Sequence, residues 1–313
     1  MRIRLISGLS LLTMTFSIFV FACASAPVST KNIASEPANS KDVPKSKDES
    51  PQSANLKYAE MSEDEKLSFV ADKSNEFLSL FPAKKNDSID GDGLRAVKEQ
   101  VDSYFKRVSV KSVKSSECRF GDNLADVLQR GKAVAPDLSS AFVNQGLPAQ
   151  LGLYIPMIDS EFCPCLQAPT GTLGMFQLTK ETGELYGLKT VKGATPKKPD
   201  DRCNPKLSAE ATAKHFKKLL DVDFGNNSIG APFAISAFNA GEGSIKRLIS
   251  LINESNREDF NYWTLRKALL ANPEKAPMQF LAENYKYFPK FLAAFIVGEN
   301  PKTFGIEMEP LSK

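Results

Sequence analysis

The chain has 313 residues, 42% of them hydrophobic and 25% charged, which is enough for one large or two small folded domains. Its 40 lysines and arginines are nearly balanced by 37 acids, for a formal net charge of +3. This balance argues against a nucleic-acid-binding protein, because such proteins usually cluster basic residues on one face.

The first 23 residues predict a signal peptide. Arg2 and Arg4 form a short basic region, 5–22 is an apolar run, and a small residue precedes Cys23, as in a lipobox. We expect cleavage before Cys23 and lipidation of its side chain. The alternatives are cleavage slightly later and retention as an uncleaved anchor. We therefore favour an outer-membrane lipoprotein facing the periplasm, with a secreted or inner-membrane-anchored protein as the alternative.

Residues 24–56 predict a flexible tether. They are rich in Ser, Pro, Lys, Ala and Asp and contain no aromatic residue, so they cannot bury enough apolar surface to fold. Such a tether has a mean span of roughly 30 Å. That reach suits a domain that is anchored in a membrane and acts at a distance from it.

The cysteines other than Cys23 predict two disulfides. They are Cys118, Cys163, Cys165 and Cys203, an even number that allows three connectivities in an oxidising compartment. Cys163 and Cys165 are too close in sequence to bridge each other comfortably, so we expect each to pair with Cys118 or Cys203. A metal site is the rival interpretation. We interpret the single histidine, His215, as a surface or packing residue of a helix rather than as a ligand.

From residue 57 onward the hydrophobic periodicity is helical, and almost no alternating pattern appears, so we predict a mainly α fold. We divide it into an N-terminal helical region, 57–140, and a second domain, 141–313. The predicted helices are 66–81, 94–105, 122–130, 141–144, 147–162, 208–221, 232–239, 243–252 and 280–298.

Several acids of 88–99 have the spacing of a calcium-binding loop. Ser88, however, replaces the first aspartate of such a loop, and Arg95 stands where an apolar residue normally packs. We interpret this segment as a turn that leads into the helix at 94, with acids near its N-terminus. No metal or other cofactor is therefore expected.

Residues 158–177, IDSEFCPCLQAPTGTLGMFQ, carry the most informative pattern. They resemble the E-S-x-F-x-P…S-P-x-G-A-x-G-L-x-Q signature of SLT-type lytic transglycosylases, which belong to the lysozyme-like superfamily. Three further blocks follow in the family's order: DRCNP at 201–205, AFNAGEG at 237–243 and ENYKYFPKFLAA at 283–294. The resemblance is to the branch of membrane-bound lytic transglycosylase D.

The resemblance implies a lysozyme-like SLT domain at 141–313 that acts on the glycan strands of peptidoglycan. In this family one carboxylic acid protonates the glycosidic oxygen between N-acetylmuramic acid and N-acetylglucosamine. The muramic 6-hydroxyl then attacks and forms a 1,6-anhydro product, without the second carboxylate that most glycosidases use. An acid that is protonated near neutral pH requires an apolar surround.

Aligned on the flanking Phe, Pro and Gly residues, the family's catalytic glutamate falls on Asp159. The missing methylene withdraws the carboxyl by about 1.5 Å, and a displacement of ~1 Å can cost on the order of 100-fold in rate. We predict Asp159 as the acid and expect Asp159→Glu to raise activity. Glu161 is the alternative acid, and otherwise a solvated residue at the helix end.

Other family positions map onto this chain with two further departures. Tyr287 matches the tyrosine that positions the acid, while Ala168 replaces a serine and Phe238 replaces a tyrosine. The residues implied to bind substrate are Gly174, Met175, Phe176, Gln177, Phe238 and Asn239. The departures leave three interpretations: a transglycosylase that remodels the cell wall, a lipoprotein that binds peptidoglycan without cutting it, and a lysozyme-like hydrolase.

Overall fold

A computed structural model describes residues 57–112, 120–252, 260–274, 276–278 and 280–313. All of them belong to one compact unit, Pro51–Lys313. The predicted signal peptide, the lipidation at Cys23, the tether at 24–56 and Cys118 lie outside the described residues. Within the described ranges, no helix is both long enough and apolar enough to cross a membrane.

The described residues are mainly helical, as predicted, and show isolated β-bridges but no strand. Short π-helices, Leu219–Phe224 and Phe280–Asn284, follow α6 and precede α10. The α-helices are α1 (Glu63–Leu78), α2 (Gly91–Lys106), α3 (Leu124–Val143), α4 (Ala149–Asp159), α5 (Lys180–Leu185), α6 (Pro205–Lys218), α7 (Gly230–Ala240), α8 (Glu242–Leu251), α9 (Tyr262–Ala271) and α10 (Tyr285–Glu299).

Helix α10 forms the centre of the core. Its residues 287–289 and 291–298 are buried, as expected of a helix that is apolar on all faces. Helices α1, α2, α4 and α7 pack against it. Phe77 of α1 meets Phe291 edge-on, with ring centroids 4.9 Å apart, a geometry that aromatic pairs prefer. The N-terminal region is therefore joined to the core through α10.

Helix α3 joins two segments that the sequence pattern separates. The predicted short helices 122–130 and 141–144 belong to one continuous helix that contains Pro136. Its Gly131 lies against the ring of Phe162, where a Cβ would come within 2.6 Å of the ring. Because α3 crosses the boundary predicted at 140/141 and packs on α4 and α6, that boundary does not separate two folded units.

Other helix ends differ from the sequence pattern by a few residues. The π-helix that follows α6 extends the helical backbone beyond the predicted end at 221, and the predicted helices do not include α5 and α9. Asp90 caps α2, because its carboxylate accepts a hydrogen bond from the amide of Gly93 at 2.7 Å. The interpretation of 88–99 as the start of a helix is therefore confirmed.

Candidate active site

Asp159 is the last residue of α4, and its carboxyl faces Tyr287 of α10. The tyrosine hydroxyl lies 3.0 Å from Oδ1 and 3.1 Å from Oδ2 and donates to this carboxyl. Burial and the adjacent carboxyl raise the pKa of Tyr287 well above its ordinary value. The hydroxyl therefore keeps its proton and remains a donor.

The environment of Asp159 favours the protonated carboxyl. Burial raises the pKa of Asp159 from 3.8 to about 8, opposed by the hydrogen bond from Tyr287. The negative charge of Glu283 raises this pKa further, while Lys290 lowers it. Loss of solvation disfavours a carboxylate, so Asp159 carries a proton at neutral pH. A general acid needs this state.

The chain turns sharply after Asp159, so α4 does not reach residue 162 as predicted. Glu161 and Phe162 adopt left-handed backbone angles, φ +51° and +62°, which are uncommon for residues other than glycine. The turn directs the side chain of Glu161 into the protein, where 4% of it is exposed. The expectation that Glu161 is a solvated residue at the helix end is therefore wrong.

Glu161 forms ion pairs and hydrogen bonds with two arginines and a backbone amide. Its Oε1 lies 2.8 Å from Nη2 of Arg107 and accepts a hydrogen bond from the amide of Gly121 at 3.0 Å. Arg130 donates to the Glu161 carbonyl at 3.0 Å, and its Nη2 lies 3.7 Å from Oε2. These contacts fasten the turn that follows Asp159 to α3 and to the segment after α2.

The loop that follows the turn depends on a close backbone approach at Gly174. Its φ is +89°, and a Cβ there would lie 1.9 Å from the carbonyl oxygen of Arg202, so no other residue fits without a backbone shift. Met175 and Phe176 are completely buried. Their predicted role in binding substrate is wrong for these side chains, which are core residues.

Gln177 closes the same loop through its side-chain amide. Its Nε2 donates to the carbonyls of Leu166 and Gly174, at 2.9 Å and 2.7 Å. Its Oε1 accepts from the hydroxyl of Thr172 at 2.8 Å. These three contacts show that the amide of Gln177 shapes the loop, and its role in holding the glycan stays a prediction.

The end of α7 brings Phe238 and Asn239 next to α10. Phe238 is partly exposed and stacks on Phe216, with centroids 5.0 Å apart. Asn239 accepts a hydrogen bond from the side chain of Asn284 at 2.6 Å. Asn284 lies three residues before Tyr287, on the same helical face. Asn239 is thereby linked to the start of α10, the helix whose Tyr287 contacts Asp159.

His215 packs between the rings of Tyr186 and Phe238. Its ring stacks on Tyr186 at 4.9 Å and meets Phe238 at 5.6 Å. Burial lowers the pKa of His215 to about 4, so the imidazole is neutral. The interpretation of His215 as a packing residue is confirmed.

A disulfide between Cys165 and Cys203 ties the loop to the turn before α6, with Cα atoms 4.4 Å apart. This is one of the predicted pairings, and it is confirmed. Cys163 is also disulfide-bonded. In the same turn, Arg202 is buried and pairs with Asp200 at 2.9 Å. The bridge therefore fixes the loop against the turn.

Sequence reasoning missed Arg107, Arg130, Tyr104 and Lys290 near the site. Arg107, Arg130 and Tyr104 lie outside the four motif blocks, and no sequence signal connects them to the acid. Lys290 lies within the last block, three residues after Tyr287. Helical spacing places it on the same face as that tyrosine, which is a signal that could have identified it.

Comparison with known proteins shows a match to the family model of the transglycosylase SLT domain over residues 139–261. The chain is similar to membrane-bound lytic murein transglycosylase D of Escherichia coli K12, with 23% identity over 199 residues, 64% of this chain and 39% of that protein. It is also similar to peptidoglycan transglycosylase gp16 of Escherichia phage T7, with 37% identity over 87 residues, 28% of this chain and 6% of that protein. The chain thus spans well under half the length of these relatives.

Proposed function

We propose that this chain, whose residues 139–261 match the family model of the transglycosylase SLT domain, cleaves the glycan strands of peptidoglycan with Asp159 as its acid. The observation that carries the proposal is the carboxyl of Asp159, which burial keeps protonated and Tyr287 orients. The names of the similar proteins agree with this substrate.

The proposed reaction needs one carboxyl, which first gives a proton to the substrate and then takes one from it. Asp159 protonates the glycosidic oxygen as the bond between that oxygen and C1 of the muramic acid breaks. The resulting carboxylate takes the proton of the 6-hydroxyl while O6 bonds to C1, which gives the 1,6-anhydro product and consumes no water. Between these steps, Tyr287 donates to the carboxylate and the charge of Lys290 favours it.

A second function is a lipoprotein that binds peptidoglycan and does not cut it. The observation that favours it is the shorter acid at the catalytic position, together with Ala168 and Phe238 where the family has a serine and a tyrosine. A carboxyl displaced by ~1 Å can lose on the order of 100-fold in rate. Binding would then persist without measurable cleavage.

One assay separates these functions. Purified, oxidised protein is incubated with peptidoglycan sacculi, and the released products are resolved by mass. Anhydro-muropeptides support the transglycosylase, while products with reducing ends identify a hydrolase. Co-sedimentation without release identifies a binding protein. Asp159→Asn should abolish release, whereas Asp137→Asn, an exposed aspartate of α3, is the matched control and should not.

We also propose that Cys23 carries a lipid and anchors the chain at the outer membrane, facing the periplasm. The apolar run 5–22 and the small residue before Cys23 support this proposal. Metabolic labelling with a fatty acid should mark the wild type and not Cys23→Ala. Label that persists in the variant would contradict lipidation at this residue.

A further inference from the structure

A pocket of about 200 Å³ lies close to Asp159, between α2, α4 and α10. At roughly 30 Å³ per water molecule, it has room for about six waters. Its lining includes Gln100, Tyr104, Arg107, Ile158, Glu161 and Lys290. Ile158 directly precedes Asp159, and the carboxyl of Asp159 acts electrostatically on Tyr104 and Lys290. The pocket therefore lies within electrostatic reach of the acid.

One wall of this pocket comes from outside the residues that match the SLT family, 139–261. Gln100 and Tyr104 are four residues apart, so α2 presents them on one face, and Arg107 follows directly after the end of that helix. The N-terminal region thus contributes side chains to the surroundings of Asp159 as well as to the core.

The pocket contains polar groups that lack partners within the protein. Among the described residues, Lys290 makes no ion pair, and the Tyr104 hydroxyl and the Gln100 amide make no hydrogen bond. Oε2 of Glu161 is buried and faces Nη2 of Arg130 at 3.7 Å, so it is not open to a ligand. The ammonium of Lys290 and the hydroxyl of Tyr104 can donate, and the amide of Gln100 can both donate and accept, so these three groups fit a ligand that has both acceptors and donors.

The charges around the pocket leave Lys290 uncompensated. Arg107 and Arg130 are balanced by Glu161 and by Asp122, which lies 2.8 Å from Arg130. Asp159 is protonated at neutral pH and contributes no negative charge. A carboxylate is therefore the group that best complements Lys290, and the Tyr104 hydroxyl is a second donor for it.

We propose that this pocket binds the peptide stem of peptidoglycan, with a stem carboxylate at Lys290 and Tyr104 and a stem amide at the side chain of Gln100. The stem is attached to the muramic acid, the sugar whose bond to the next residue is cut, so it lies near Asp159 when the strand is bound. This inference rests on the proposed function. It assigns the chain a preference for stem-bearing over stem-free strands.

The test measures binding in an Asp159→Asn background, so that changes in the pKa of the acid do not affect the result. Calorimetry compares the disaccharide of N-acetylglucosamine and N-acetylmuramic acid with the same disaccharide carrying a tetrapeptide. We expect the disaccharide with the stem to bind about 10-fold more tightly than the one without it. In Lys290→Gln this ratio of dissociation constants should fall by about 3- to 10-fold. Tyr104→Phe, which changes no charge, should reduce it in the same direction.

Lys286→Gln is the matched control, because Lys286 lies one turn earlier on α10 and does not line the pocket. It should keep the full advantage of the stem. The stem pocket would be overturned if the Asp159→Asn protein bound the two ligands equally, or if Lys290→Gln and Lys286→Gln lost the advantage of the stem to the same extent. Neither result would contradict the proposed function. If neither ligand binds a protein that unfolds cooperatively, both the pocket and the proposed function are wrong.

Discussion

Asp159 and Glu161 are two residues apart, and the protein treats their carboxyls in opposite ways. Burial keeps the proton on Asp159, whereas Arg107 and Arg130 surround Glu161. The motif alignment placed Asp159 in the acid position, but helical periodicity alone could not choose between the two. The two carboxyls differ because α4 ends at residue 159 and Glu161 has a left-handed backbone, which the pattern of apolar residues does not encode.

Replacing Asp159 by asparagine should lower activity and raise stability. Losing a general acid costs about 10² to 10⁴ in rate. The folded-state pKa of about 8 is above the ordinary 3.8, so the stability that protonation contributes is complete below pH 4 and is lost as the pH rises through 8. The asparagine has no proton to lose.

We therefore expect the free energy of unfolding of Asp159→Asn, measured with urea, to exceed that of the wild type by about 1–3 kcal/mol at alkaline pH. This range includes a reduction because Asp159 is partly exposed. Near pH 4 the difference should be small. Wild-type activity should correspondingly fall as the pH rises through about 8. An equal stability difference at both pH values would mean that Asp159 does not titrate in this way.

Replacing Glu161 by glutamine should change stability in the opposite direction. Both arginines would lose their carboxylate partner, and breaking such a buried pair costs about 3–5 kcal/mol when it is fully buried. The arginine side chains are 18% and 27% exposed, so we expect a loss of about 2–4 kcal/mol near neutral pH. If Glu161→Gln abolishes cleavage without a loss of stability, Glu161 is the acid.

At the scale of elements, the loop at 164–178 and the turn Asp201–Cys203 are joined by the bridge between Cys165 and Cys203. Counting cysteines was enough to limit the pairing of Cys165, because neighbouring cysteines cannot easily bridge each other. The close approach of Gly174 to Arg202 could not be foreseen, since it depends on how the two segments face each other. The same reason explains why Met175 and Phe176 were mistaken for substrate-binding residues.

Removing the disulfide with the double variant Cys165→Ser/Cys203→Ser should destabilise the fold. The bridge closes a segment of 38 residues, and the loss of such a constraint costs about 2–4 kcal/mol. Urea unfolding under oxidising conditions measures the difference. The wild type under reducing conditions should show at least the same loss. Unchanged stability in the double variant would mean that the bridge does not constrain the loop and the turn that it joins.

At the scale of the whole molecule, α10 belongs to both the core and the site. It supplies Tyr287 and Lys290, and it is covered by α1 and α2 from the N-terminal region. Sequence periodicity predicted these helices approximately but assigned no role to the region 57–140. Because α1 and α2 pack on the helix that carries Tyr287, we expect the region 57–140 to unfold together with the rest of the described chain.

Phe77→Ala tests this arrangement, because Phe77 of α1 is completely buried against Phe291 and Phe295 of α10. Truncating such a side chain costs about 3–5 kcal/mol. We expect this loss in a single cooperative urea transition for the whole chain. Leu185→Ala, at a residue that is 73% exposed, should cost less than about 0.5 kcal/mol. Two separate transitions would show that the N-terminal region folds independently.

The sequence by itself determined the helical character, the match of Asp159 to the family's acid position and the restriction of Cys165 to a bridge with Cys118 or Cys203. These follow from periodicity, motif order and cysteine spacing, all of which are properties of neighbouring residues. Only the tertiary structure decided that Asp159 is protonated, that Glu161 is held by arginines and that α2 forms a wall of the pocket. The contact between Asp159 and Tyr287 spans 128 residues. Burial and ion pairing across such separations depend on how the helices pack, which local patterns do not specify.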